Sequence, residues 1–116
     1  ICVHLGLFSF ERKHQIIKLM DRIRQHIPDA EPLIVAGDFN DWRTQVDGYF
    51  KEKLHVTEVF KQYSGRHAKT FPAWMPLFAM DRIYVRGLKL QTCEVLSGSP
   101  WTALSDHLPL TAQFNF

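Results

Sequence analysis

A chain of 116 residues with 46% hydrophobic and 22% charged residues has the proportions of one folded core and is too short for two ordinary domains. Its 14 basic and 12 acidic residues leave a net charge of +2, so charge alone gives no reason to expect a polyanionic partner. No apolar run approaches the ~20 residues needed to span a bilayer, and no secretory leader is visible, although a start lying further upstream would hide one.

Taken in chain order, Ile1 to Leu7 reads as a strand. Ile16, Leu19, Met20, Ile23 and Ile27 then recur at helical spacing, which predicts an amphipathic helix over residues 10–27 with Ser9 as its N-cap and Pro28 as its stop. The apolar run Leu33 to Ala36 completes a strand–helix–strand unit. A short helix is expected over Gln45 to Lys53, and Val56 to Tyr63 fits helix or strand equally. Ser64 to Met80, with Gly65, Pro72 and Pro76, reads as a long loop. Three strands follow: Asp81 to Val85, the alternating Leu88 to Leu96, and Leu108 to Phe116. Cys2 and Cys93 fall in strands and read as small buried hydrophobes, which makes a reducing, cytoplasmic setting the default.

Polar groups sit at the ends of these apolar runs. Gly37-Asp38-Phe39-Asn40 closes one strand, Asp81-Arg82-Ile83 opens another, and Ser105-Asp106-His107 precedes the last. With His4 in the first strand, these motifs in this order resemble the carboxy-terminal half of the endonuclease/exonuclease/phosphatase family. Each motif alone is weak, and the resemblance rests on all four together. It implies an α/β fold: half of a four-layer αββα sandwich, with a mixed sheet and helices on its outer face. Family members are about twice this length, and the early Asn and metal-binding Glu of their amino-terminal half have no counterpart here. The chain also starts without Met inside a strand, so it is read as a fragment or C-terminal part, residues 1–116, of such a domain.

The chemistry of phosphate-ester cleavage requires a cationic clamp on the phosphoryl oxygens, a positioned water and a way to neutralise the leaving oxygen. His107 is the candidate imidazole, since histidine alone titrates near neutrality without perturbation. The resemblance implies the remaining roles: Asp81 orients His107, Asp106 helps bind Mg²⁺ or Mn²⁺, Asp38 orients or deprotonates the attacking water, Asn40 contacts the phosphate, and His4 assists the leaving group. Oxygen donors suit these hard cations. Asp106 and His107, as neighbours in an extended segment, are expected on opposite faces. Blander roles compete: Asp38 as a turn-forming carboxylate, Asn40 with Asp41 as a cap for the next turn, and Asp106 with His107 as a surface pair.

His14, His26, His55 and His67 lack metal-ligand spacing and are read as structural or surface residues. Arg43 and Arg82 lie near the acids in sequence, and Arg66 and Lys69 lie in the loop, where each could meet a phosphate. Trp42, Phe71, Trp74, Phe78 and Trp101 are expected to close the core beneath the loop rather than to line a groove. The expected function is divalent-metal-dependent hydrolysis of phosphate esters, whether nucleic acid, phospholipid or small ester. The alternative is a non-catalytic binding or structural module on the same scaffold. An isolated half-sandwich is also expected to self-associate through its exposed sheet face.

Overall fold

The computed structural model describes all residues, 1–116, and has four helices and six strands. Strand β1 (Cys2–His4) leads into helix α1 (Ser9–His26), followed by β2 (Leu33–Asp38), α2 (Asp47–Leu54), β3 (Thr57–Glu58) and α3 (Val59–Ser64). Then come β4 (Asp81–Arg86), β5 (Lys89–Val95), the short α4 (Trp101–Leu104) and β6 (Leu110–Asn115). The ambiguous stretch thus divides into a two-residue strand and a six-residue helix. No helix is long and apolar enough to cross a membrane.

The main sheet has the order β1-β2-β4-β3, with β1 parallel to β2 and the other pairs antiparallel. One face carries Leu33, Val35 and Tyr84, which pack with Ile16, Met20 and Ile23 of α1 and Phe50 and Leu54 of α2 into one core. The opposite face presents Ile83 and Val85 to Val59 and Phe60 of α3 and to Leu90, Val95, Leu110 and Phe114 of a separate β5–β6 ribbon. The expected mixed α/β sheet with helices α1 and α2 on one face is therefore present. The last two strands, however, leave the sheet to form their own layer. Gly87 makes that departure, at φ +74°, in a turn where an added Cβ would sit 2.9 Å from Pro32 Cα.

Several local expectations need correction. Phe8, not Ser9, is the N-cap of α1: its backbone is extended, Ser9 is already helical, and no side chain caps the end. Instead the buried Arg12 reaches back and donates to the carbonyls of Gly6 and Leu7, which fixes the chain entering the helix. Cys2 is exposed, against expectation, whereas Cys93 is half-buried and packs against the second core; both are free thiols. Asp41 does cap the next turn, accepting from the backbone N–H of Gln45 and Val46 at 2.8 and 3.0 Å, whereas α2 itself starts after Val46 with no side-chain cap.

The long loop is tightly bound. Thr70 N donates to Phe78 O, Leu108 N to Thr70 O and Ala73 N to Asp106 O, so one segment joins both sides of the last motif. His67 fastens the loop at its start: Nδ1 is 3.0 Å from Glu58 Oε2 and Nε2 is 3.5 Å from Asp47 Oδ2. With a carboxylate at each ring nitrogen, both nitrogens are suited to donate, which favours the imidazolium. These hydrogen bonds to Asp47 and Glu58 raise the His67 pKa above its ordinary value despite burial.

Two predictions follow from these buried charges. Arg82 is fully buried and paired with the equally buried Asp41 at 3.1 Å, so Arg82→Ala strands a carboxylate and should cost about 3–5 kcal/mol of stability in urea unfolding. A loss below about 1 kcal/mol would show that Asp41 does not need its partner. The second concerns pH. Because the folded-state pKa of His67 lies above the unfolded value of 6.5, its stabilisation is complete below that pH and is lost as pH rises through the folded value. The stability advantage of the native protein over His67→Gln should therefore shrink between neutral and alkaline pH, and parallel stability curves would contradict it.

Candidate active site

Strand register builds the site. In the parallel pair His4 faces Asp38, and in the antiparallel pair Asp38 faces Asp81, so three candidate side chains lie across adjacent strand ends. Gly37 permits the approach of β1: at φ +141°, any Cβ there would fall 2.0 Å from Val3 O. The period-two alternation of a strand then separates neighbours by face. Asp81 turns toward the site, while Arg82 turns into the core beside Tyr84 and donates to both the carboxylate and the backbone carbonyl of Asp41. Arg82 is thus withdrawn from any phosphate, contrary to the sequence expectation, because its position in β4 has the parity of the core.

His107 and Asp81 form the tightest acid–base pair, with Nδ1 to Oδ2 at 2.7 Å. Thr70, with no exposed surface, donates its hydroxyl to the same Oδ2 at 2.6 Å. A carboxylate is an acceptor, so Nδ1 carries the donated proton and Nε2 is left toward the cavity. Nε2 is 3.9 Å from Asp38 Oδ2, and His4 Nε2 approaches that same oxygen at 3.6 Å. Asp38 Oδ1 accepts from Asn40 N at 2.9 Å, so the turn-forming role and the cavity-facing role belong to different oxygens of one carboxylate. Asn40 adopts φ +47° and donates Nδ2 to Leu5 O at 2.6 Å, tying the β2 turn to the end of β1.

The pKa directions follow from this geometry. Burial raises the Asp38 carboxyl above its ordinary value, and the Asp81 charge adds to the rise; the Asn40 N–H and the two imidazoles pull the other way without cancelling it. For His107, burial opposes the charged ring, yet the hydrogen bond and charge of Asp81, with Asp38 and Asp106 behind them, make the net shift upward.

An open cavity of about 840 Å³ brings the candidates together: His4, Asp38, Asn40, Asp81, Asp106 and His107 all line it. Asp106 and His107 share this cavity although strand alternation would have parted them. The chain bends at both residues and β6 begins only at Leu110. Ligand atoms of Asp38, Asp81 and His107 lie within 4.8 Å of one another, close enough to hold a cation, and Asp106 is outside that trio. Glu11, Gln15 and Phe71 also line the cavity, the Phe71 ring lying 5.0 Å from that of His107. Neither Thr70 nor Phe71 was singled out from sequence as a contact of the acid–imidazole pair, because both lie in a stretch whose composition signals only a loop. The aromatic expectation is partly overturned: Phe71, Phe78 and Trp101 are half-buried, but Trp42 is 43% and Trp74 74% exposed.

The arrangement defines a class: an acid–imidazole pair and further carboxylates gathered at the ends of strands in an α/β layer. The chain belongs to the Endonuclease/Exonuclease/phosphatase family, whose sequence model matches residues 2–107. It is 41% identical over 115 residues to the uncharacterized protein YbhP of Escherichia coli, covering 99% of this chain and 45% of that one. Among solved structures, a functionally unknown conserved protein from Enterococcus faecalis superposes with a TM-score of 0.79 at 26% identity, over 97% of this chain and 48% of that one. A Bacteroides thetaiotaomicron mannosyl-6-phosphatase gives 0.78 at 20% identity, over 99% and 50%, a likeness of fold. The chain thus spans about half the length of these proteins.

Asp81→Asn should lower the His107 pKa, because it removes the carboxylate hydrogen bond and charge that, with Asp38 and Asp106, overcome burial. Titration of the imidazole ring by NMR would measure this, and an unmoved pKa would show that Asp81 does not govern the ring.

Proposed function

We propose that the protein acts in hydrolysis of phosphate esters, assisted by Mg²⁺ or Mn²⁺, in the cavity at the ends of β1, β2 and β4. The observation that carries this reading is the 2.7 Å contact between His107 and Asp81, with Thr70 on the same oxygen. It fixes one ring nitrogen and leaves the other free toward a cavity lined by carboxylates. In this reading His107 Nε2 contacts the scissile phosphate or moves a proton there. Asp38, its carboxyl raised toward neutrality, orients or deprotonates the attacking water. The second amide hydrogen of Asn40 is available for a phosphate oxygen, since Leu5 takes only one. His4, whose side chain is 79% exposed, assists the leaving oxygen.

The donor chemistry fits a divalent cation at Asp106. Mg²⁺ takes one or two carboxylates and keeps several waters. Asp81 is less suited to the ion, since its Oδ2 already accepts two hydrogen bonds, and His107 offers nitrogen where Mg²⁺ prefers oxygen. When bound, the cation supplies charge to neutralise the phosphoryl oxygens. The family relationship and the mannosyl-6-phosphatase fold support phosphate-ester chemistry in general and leave nucleic acid, phospholipid and small esters as the substrate classes.

Hydrolysis of bis-p-nitrophenyl phosphate by the whole protein should require Mg²⁺ or Mn²⁺ and stop in chelator. His107→Ala should reduce turnover by ~10²–10⁴-fold, the range for a positioned acid or base, and Asp106→Asn should raise the cation concentration needed. Undiminished turnover in chelator or in His107→Ala would contradict the proposal.

A further inference from the structure

Large apolar side chains stand in solvent on the segments that flank the cavity, those of its lining residues Leu7 and Phe71. At the entry to α1, Leu7, Phe8 and Phe10 are 75%, 65% and 77% exposed; Trp42 is 43% exposed, and Trp74 and Leu77 in the long loop are 74% and 51% exposed. Leu7, Phe8, Phe10 and Trp42 are connected, and with Trp74 and Leu77 on the loop that carries the cavity-lining Phe71 they make up a collar. The Phe8 and Phe10 rings stack with centroids 6.2 Å apart, and Leu7, Phe8 and Trp42 line one depression beside the mouth. Trp42 meets Phe78 edge-on at 5.1 Å, and Phe78 bridges to Phe71, whose ring lies against His107. Leaving this many large apolar groups together in water marks an interaction site.

The charges nearby indicate what covers it. The Arg43 guanidinium lies 4.6 Å from the centre of the Trp42 ring. Lys13 shares a groove with Phe10, Ile17 and Tyr49, and Lys53 lies 5.8 Å from the Tyr49 ring centre. The carboxylates Glu11 and Asp106 line the cavity rather than that groove. Aromatic and aliphatic groups bordered by cations suit the interface of an anionic bilayer, where rings sit at headgroup level and basic side chains meet phosphate. A nucleic-acid strand fits less well, because Leu7 and Leu77 offer no ring for a base to stack upon.

We infer that this collar rests on an anionic phospholipid surface and holds the cavity at the level of lipid phosphate groups. The second clause rests on the hydrolase reading above; the first does not. Flotation of the whole protein with vesicles tests it, using phosphatidylcholine alone and phosphatidylcholine mixed with phosphatidylglycerol. The protein should float with the mixed vesicles and much less with phosphatidylcholine. Phe8→Ser with Phe10→Ser, and separately Trp74→Ser, should weaken binding by about tenfold or more as apolar contact is lost, with circular dichroism unchanged. Arg43→Gln should reduce the preference for the anionic lipid.

Bis-p-nitrophenyl phosphate, being soluble, should be hydrolysed equally by the wild type and by the Phe8→Ser/Phe10→Ser and Trp74→Ser variants. Absence of flotation by the wild type would overturn the inference, as would variants that float undiminished. Tight binding of a single-stranded oligonucleotide with none to vesicles would assign the collar to nucleic acid instead. Intact flotation without any ester hydrolysis would defeat the hydrolase reading and leave the lipid-docking inference standing.

Discussion

Two consecutive residues of β4 join the core of this protein to its site. Strand alternation sends Asp81 to one face and Arg82 to the other. Arg82 is locked inside by Asp41, which in turn holds the turn before α2. That anchor fixes the position of β4, and the register with β2 then sets Asp81 opposite Asp38. A one-residue slip would exchange the faces, turning Asp81 into the core and expelling Arg82 and Tyr84 from it. The buried ion pair thus has a geometric consequence larger than any stability it adds, since such pairs are often no better for stability than well-packed apolar groups.

The site brings like charges together and compensates them locally. Asp38 and Asp81 face each other across the strands, and the Asp81 charge adds to the rise that burial gives the Asp38 pKa. Imidazoles from two other segments meet these acids: His4 from β1 and His107 from the bend before β6. Thr70 adds a neutral donor to Asp81, and the bonds of its own backbone to Phe78 and Leu108 hold it in place. The loop that carries Thr70 is tied to the scaffold by His67. A stretch remote from the cavity therefore helps fix the carboxylate that orients His107.

Much of this was readable in the sequence where the pattern was periodic or the motifs were ordered. The strands around Val35 and Tyr84 and the helix through Ile16 and Met20 follow from apolar spacing, and the motif order pointed to the residues that meet at the cavity. Arg82 was misread because proximity in sequence to Asp81 conceals the opposite parity of adjacent strand residues. Asp106 and His107 share a cavity because the chain bends there, and alternation holds only in extended backbone. Ser9 looked like an N-cap by residue type, yet Arg12 reaching back to Gly6 and Leu7 orders that entry. Thr70, Phe71 and the partners of His67 depend on long-range contacts within a segment that has no period, so composition could give only "loop".

The central claim is that Asp81 acts through His107 as one unit. A double-mutant cycle on phosphodiester turnover, comparing Asp81→Ala, His107→Ala and the pair together, tests it most directly. If the carboxylate works by orienting and charging the ring, removing it after the ring is gone should cost little more, and the double variant should resemble His107→Ala alone. Losses that multiply, as for independent residues, would contradict that coupling.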